Sequence, residues 1–316
     1  MRATCSRACL GFLAAGRVGS KKTPKKVGNL WCDPLKSLSS MEVLRKDIIR
    51  TWIVPHLSIG TRGPDPSADL LEVVETILYK LKTGCQWRQL PLKQFFTKVT
   101  LSWQGVYYHF REWRKDGSWK QLWLTLLRVH RPRLDLSSIQ LDGSHTRTRS
   151  SGEAIGYQKR KGSRTTNLLF LADNAGQPLA CATPQAGNHH DLFDIKTTFG
   201  ELCTLLEEAQ IRLEGLFLNA DSGFDSRDLR LDCFQRDIEA NIAHNRRSGT
   251  NEAAADQYFD EELYRQRTAI ERTNAWLDGF KTLLVRYESH IDSWLAFHFL
   301  AFAVLLLRKI PPDEKP

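Results

Sequence analysis

Two short apolar runs, each closed by an aspartate, constrain this chain most: Ser138-Ile-Gln-Leu-Asp142 and Gly215-Leu-Phe-Leu-Asn-Ala-Asp221. Both are too brief for helices and read as strands. Around them the pattern predicts a hairpin at 168–172 and 178–182 about the turn Asp173-Asn-Ala-Gly176. A helix is expected over 191–210, another from Ser226, and one more strand over 238–243. The order β-β-β-α-β-α-β-α describes a mixed α/β sheet with flanking helices. Open α/β sheets put their sites at the carboxyl ends of strands, which makes Asp142 and Asp221 candidates. Aspartate is also a common turn former, so neither stands alone.

A third acidic position lies on a two-faced stretch, 256–286. Wound at about 100° per residue, it gathers Ile270, Leu277, Phe280 and Leu284 on one side and Tyr264, Arg267, Glu271 and Asp278 on the other. By itself this pattern also fits an ordinary solvated helix face. Three carboxylates meeting in one cleft repel one another unless cations sit among them. Mg²⁺ suits such a site, since it prefers oxygen ligands and binds through carboxylates together with substrate phosphate. Two such ions about 3.5–4 Å apart can serve an in-line displacement.

Residues 41–133 read as helical. Helices are expected at 42–52 and, after a Gly/Pro loop at 60–66, from a cap at Ser67 or Asp69 through Lys82, ended by Gly84. Five of the nine tryptophans fall between Trp87 and Trp123. A helix bearing Trp103, Val106, Tyr107, Phe110 and Trp113, a break at Asp116-Gly117 and a second helix capped by Ser118 together look like a helix-turn-helix. The tryptophans are expected in the core, with Arg111, Arg114, Lys115, Lys120 and Arg128 towards phosphate. Residues 1–40 are foreign to this pattern and are expected to be a disordered extension, or to precede a true start at Met41. The run 294–307 is too short for a membrane span and reads as a buried C-terminal helix.

Charge is informative only locally. Residues 1–40 carry eight Lys/Arg against Asp33, most of the formal +9. Beyond them, 111–164 holds thirteen basic and five acidic residues, whereas 201–239 holds four and ten. A basic zone beside an acidic one suits a protein that grips a polyanion and holds cations near it. Arg147, Arg149, Lys159, Arg160, Lys161 and Arg164 follow the first aspartate and are candidates to line such a path. The seven scattered cysteines, without a C-x-x-C pair, argue for a reducing compartment and against a zinc site. His189-His190 reads as a surface loop, and Trp276 as core rather than a base-stacking platform.

Across 42–308 these segments together resemble a DDE transposase of bacterial insertion sequences, in the group with a Tyr-x2-Arg-x3-Glu-x6-Lys signature. The parts are Leu78 to Pro91 (LYKLKTGCQWRQLP), Trp103 to Trp119, Leu-Asp142-Gly-Ser, Ala-Asp221-Ser-Gly-Phe-Asp225-Ser, and Tyr264/Arg267/Glu271 followed by Arg286-Tyr287. The resemblance implies a helical DNA-binding domain (41–133) and a ribonuclease H-like catalytic domain (134–312). Asp142, Asp221 and Glu271 would hold two Mg²⁺, with Mn²⁺ as a substitute, and Arg267 and Tyr264 would position phosphate. Its partners would be terminal inverted repeats and target DNA, met by a homo-oligomer (a dimer when assembled on DNA) at the nucleoid in the cytoplasm. One position departs: the signature lysine falls on Asp278, and Lys281 could stand in for it. A DNA-binding remnant without catalysis, or a nuclease without strand transfer, remain open readings.

Overall fold

The computed structural model describes residues 42–59, 68–245 and 259–311. All of them lie within one compact unit, Ser37–Pro316. The expectations for 1–40 and for the loop at 60–66 fall outside the described residues. The chain begins with α1 (Lys46–Ile48), which passes into a π turn over Ile49–Ile53 and a 3-10 turn over Val54–His56. The helix expected at 42–52 is therefore shifted and irregular. In α2 (Leu70–Thr83) the Asp69 carboxylate accepts from the Leu71 N–H, and Gly84 closes the helix at φ 67. After α3 (Leu92–Phe95) come α4 (Trp103–Lys115) and α5 (Ser118–His130). Gly117, at φ 79, makes the break between them. The N-cap is Gly117 rather than Ser118, and the Asp116 carboxylate before it accepts from both the N–H and the hydroxyl of Ser118.

The remaining elements are β1 (Ile139–Thr148), β2 (Gly156–Gln158), β3 (Ser163–Asp173), β4 (Pro178–Cys181), β5 (Gln185–Ala186), α6 (Ile195–Glu208), β6 (Phe217–Ala220), α7 (Arg227–Gln235) and β7 (Glu239–Ile242). They are followed by α8 (Glu261–Arg265), α9 (Ala269–Asp278), α10 (Lys281–Leu284), β8 (Val285–Arg286) and α11 (Ile291–Leu307). Among the described residues the strands form one 8-stranded sheet in the order β2-β3-β1-β6-β7, with β4 and β5 on β3 and β8 on β1. β1 runs antiparallel to β3 and parallel to β6, and β6 is parallel to β7. An antiparallel meander continued by parallel crossover strands, with helices on the faces, is the ribonuclease H-like layout that the element order predicts.

Two expectations need correction. β1 does not stop at Asp142 but continues to Thr148, because Gly143 through Arg147 pair with Leu169 back to Thr165. The polar run Gly-Ser-His-Thr-Arg-Thr hides that extension from a hydrophobic pattern. The long amphipathic helix is in fact α8, a 3-10 turn over Gln266–Thr268, and α9, with α10 starting afresh after Gly279. A 3-10 turn advances more degrees per residue than an α-helix, so Tyr264 and Glu271 do not share one straight stripe.

The helical part completes its core with the far end of the chain. α11 is buried along almost its whole length, as a helix apolar on every side must be. Phe110 of α4 stacks on Phe297 at 4.4 Å, and Trp123 of α5 meets Phe302 at 5.6 Å. Buried Lys80 pairs with Glu288 at 3.4 Å, and its carbonyl accepts from the Thr282 hydroxyl at 2.7 Å. α5 buries Trp119, Leu122, Trp123, Leu126 and Leu127, so it is a core helix rather than a free groove reader. Among the described residues no helix is long and apolar enough to cross a membrane.

His298, fully enclosed in α11 between Trp294 and Phe302, donates its Nδ1–H to the Trp294 carbonyl at 2.9 Å. Burial pushes its imidazole down to about 4. A depressed pKa contributes stability that is present above the unfolded value of about 6.5 and is lost as pH falls towards the folded one. Lowering the pH from 7 to 5 should therefore cost on the order of 2 kcal/mol from this residue. Denaturant unfolding of His298→Leu at both pH values should show a loss smaller by that amount; an unchanged loss would contradict the assignment.

Candidate active site

The parallel pairing of β1 with β6 sets Ile139 against Leu218 and Gln140 against Asn219. Continued by two residues, that register would bring Asp142 beside Asp221, and the charge of Asp221 does act on Asp142. The two carboxylates differ in setting. Asp142 lies within a strand, its Oδ1 accepting from the Gly143 N–H at 2.9 Å and its Oδ2 from the Asn274 amide at 3.1 Å. Asp221 follows the end of β6 and accepts from the Gly223 N–H at 2.8 Å. Burial raises the Asp142 carboxyl above its ordinary value; Gly143, Asn274 and Arg267 pull it down, and the charge of Asp221 adds to the rise. Two adjacent carboxylates, one withdrawn from water, create a local demand for positive charge.

Beneath this pair runs a row of buried amides, Gln140, Asn219 and Asn241, directly opposed across β1, β6 and β7. The Asn241 amide donates to Asn219 Oδ1 at 2.8 Å, and Asn219 Nδ2 donates to the Leu263 carbonyl at 3.0 Å. Asn241 also clasps the backbone of Asp260, accepting from its N–H at 2.8 Å and donating to its carbonyl at 3.0 Å. The row thus ties the start of α8 to the sheet face that carries Asp142 and Asp221. Pattern reading missed these residues. The available signal is a polar amide two positions before each aspartate, Gln140 and Asn219, inside otherwise apolar strands.

From that anchorage the chain delivers Tyr264 and Arg267, with the guanidinium 6.0 Å from the phenol ring centre and its charge acting on Asp142. Glu271 stands in the first turn of α9, exposed to solvent. Among the described residues no group of three or more His, Cys, Asp or Glu is gathered closely enough to hold a metal ion. Asp142 feels the charges of Arg267 and Asp221, and among the described residues Glu271 does not join the two aspartates in a group close enough to hold an ion. Asn274, one turn beyond Glu271 on the same face, is the α9 side chain that reaches Asp142. Two hard carboxylates side by side nevertheless fit a hard divalent cation, which commonly takes one or two protein carboxylates plus phosphate oxygens.

The basic candidates divide by position. Arg147, Arg149, Lys159, Arg160, Lys161 and Arg164 are exposed along the hairpin of β1, β2 and β3. Lys161 donates to the His145 carbonyl at 2.6 Å; burial first, then Arg160 and Arg147, lower its pKa, while Asp278 and Asp191 raise it. The hairpin thus lies alongside the end of α9. Arg114 is turned inward and donates to the Ser293 hydroxyl at 3.0 Å, while Arg111 and Lys115 both contact Glu112. Of the other two on these helices, Arg128 donates to the Glu208 carbonyl and Lys120 pairs with its carboxylate. Lys281 begins α10, past the break at Gly279, and its ammonium meets the Asp278 carbonyl at 3.3 Å. Trp276 is partly buried against the core beneath Lys309, and His189 stacks on Phe193.

A family model for transposases of the IS4/5 family matches residues 50–123, and a model for the transposase DDE domain matches residues 134–306. Among solved structures, a pre-cleavage Mos1 transpososome is 14% identical over 79% of this chain and 81% of its own, with a TM-score of 0.26. A Mos1 strand transfer complex is 14% identical over 80% and 82%, at 0.25. A Mos1 mariner paired-end complex with Mn has the same identity, coverage and score. No curated protein matches the chain.

The amide row makes a measurable claim. Asn219→Leu removes one of the two acceptors of the Asn241 amide and the side-chain donor to the Leu263 carbonyl, and should cost about 1–2 kcal/mol. Hydrogen exchange at the amides of α8 should rise with that loss. Unchanged stability and unchanged exchange would show that α8 is held by something else.

Proposed function

The chain belongs to the transposase DDE-domain family, and on that premise we propose that it cuts transposon ends and joins the exposed 3′-hydroxyl to target DNA. The observation that supports this reading is the register of β1 against β6, Gln140 against Asn219, which continued by two residues would set Asp142 beside Asp221. Asp142 and Asp221 would hold divalent metal, with Glu271 joining them from α9. Bound magnesium, or manganese in its place, would supply activation of the attacking oxygen and stabilisation of the leaving one. The protein's own groups do the rest. Arg267, held near Asp142 by the anchorage of α8, meets the scissile phosphate, with Tyr264 bracing it. The exposed basic hairpin from Arg147 to Arg164 grips the DNA backbone, a contact that weakens steeply with salt. Its DNA partners are then terminal inverted repeats and target DNA, held by an assembly of copies of this chain at the bacterial nucleoid.

A second reading, a DNA-binding remnant, has the exposed position of Glu271 in its favour. One assay separates the two. Glu271→Gln and Asp221→Asn should bind inverted-repeat DNA like the wild type and lose cleavage in Mg²⁺ by about a thousandfold or more, the scale of losing a transition-state charge stabiliser. Cleavage retained by Glu271→Gln would remove Glu271 from the site. A wild type that binds ends yet never cuts them, in Mg²⁺ or Mn²⁺, would establish the remnant.

A further inference from the structure

We propose that Asn274 is a further member of the metal site: its side chain holds the Asp142 carboxylate and supplies an oxygen ligand to an ion shared by Asp142 and Asp221. This rests on the carboxylate reading above and assigns a residue outside it. The contact is direct, Asn274 Nδ2 donating to Asp142 Oδ2 at 3.1 Å. The other oxygen of that carboxylate is already taken by the Gly143 N–H. Asn274 is thus set against the oxygen that the backbone leaves free.

Its placement is fixed from behind. Thr273 donates its hydroxyl to the Gly176 carbonyl at 2.7 Å, and Arg272 donates to the Ala175 carbonyl at 3.1 Å. Gly176, at φ 84, lets the turn approach so closely that an added Cβ would stand 3.0 Å from the Ala269 carbonyl oxygen. These ties pin α9 to the turn between β3 and β4, and position 274, one turn beyond Glu271, is the one brought to Asp142. Asparagine suits both duties. Its N–H answers a carboxylate, and its carbonyl oxygen is a hard ligand of the kind divalent cations take. Exchanging one for the other needs only rotation about a broad terminal torsion, with no movement of the helix.

A simple tie between helix and sheet would behave differently. Titration of the full chain with Mn²⁺, reading free Mn²⁺ by electron paramagnetic resonance alongside thermal unfolding, distinguishes them. Asn274→Ala should weaken Mn²⁺ binding at least tenfold, the usual scale for losing a group that orients metal ligands. Asn274→Asp keeps an oxygen ligand but faces Asp142 with like charge. It should lower the unfolding midpoint without metal, and Mn²⁺ should raise that midpoint by more than in the wild type. The inference is overturned if Asn274→Ala binds Mn²⁺ like the wild type, or if Asn274→Asp binds as poorly as Asn274→Ala. In either case loss of binding in Asp142→Asn would leave the carboxylate reading standing. A wild type that binds no Mn²⁺ would overturn both.

Discussion

The structure depends on the parallel pairing of β1 with β6. A side chain's face in a sheet alternates with every residue, so the register that puts Gln140 against Asn219 also decides which side Asp142 and Asp221 occupy. A slip of one residue would send one carboxylate through the sheet. The register is held by its surroundings: Ile139, Leu141, Leu218 and Ala220 are all buried. The amide row on the site face is equally buried, and the hydrogen-bonded Asn219 and Asn241 within it resist slippage because an unpaired polar group there is costly. Asn219 and Asn241 serve twice, fixing strands to each other and fixing α8 to the strands. The packing that positions the acids thus also positions the cation beside them.

The same economy governs the helical part. Residues 50–123 and 134–306 match separate family models, yet the described residues of both share one core. α11, the last helix, carries Phe297 and Phe302 into the aromatic cluster of α4 and α5. Lys80 and Glu288 bury an ion pair across the same junction, further steadied by the Lys80 ammonium lying 4.9 Å from the Trp87 ring centre. Arg114 is spent on that junction as well. A DNA contact by this region therefore has to come from its exposed edges.

Much of this was legible in the sequence because it rests on local signals. Asp69 and Gly84 bound α2 as caps should, the all-apolar 294–307 run is buried, and the β-α alternation after Ser138 gives the sheet. The family resemblance, too, follows from motifs that occur in order along the chain. Three things were hidden. The extension of β1 is carried by pairing with β3, not by hydrophobic alternation. The break between α8 and α9 has no glycine or proline to announce it; it follows from anchoring Asp260 and Leu263 to the sheet. Asn274 belongs to no motif, and only the packing of α9 against the turn at Gly176 reveals that it reaches Asp142.

The central claim is that Asp142 and Asp221 share a divalent ion, and its most direct test is crystallographic. Crystals of the full chain soaked in Mn²⁺ should show an anomalous difference peak between the two carboxylates, within coordination distance of an oxygen from each. A peak bound elsewhere, or density at neither carboxylate under saturating Mn²⁺, would contradict the account.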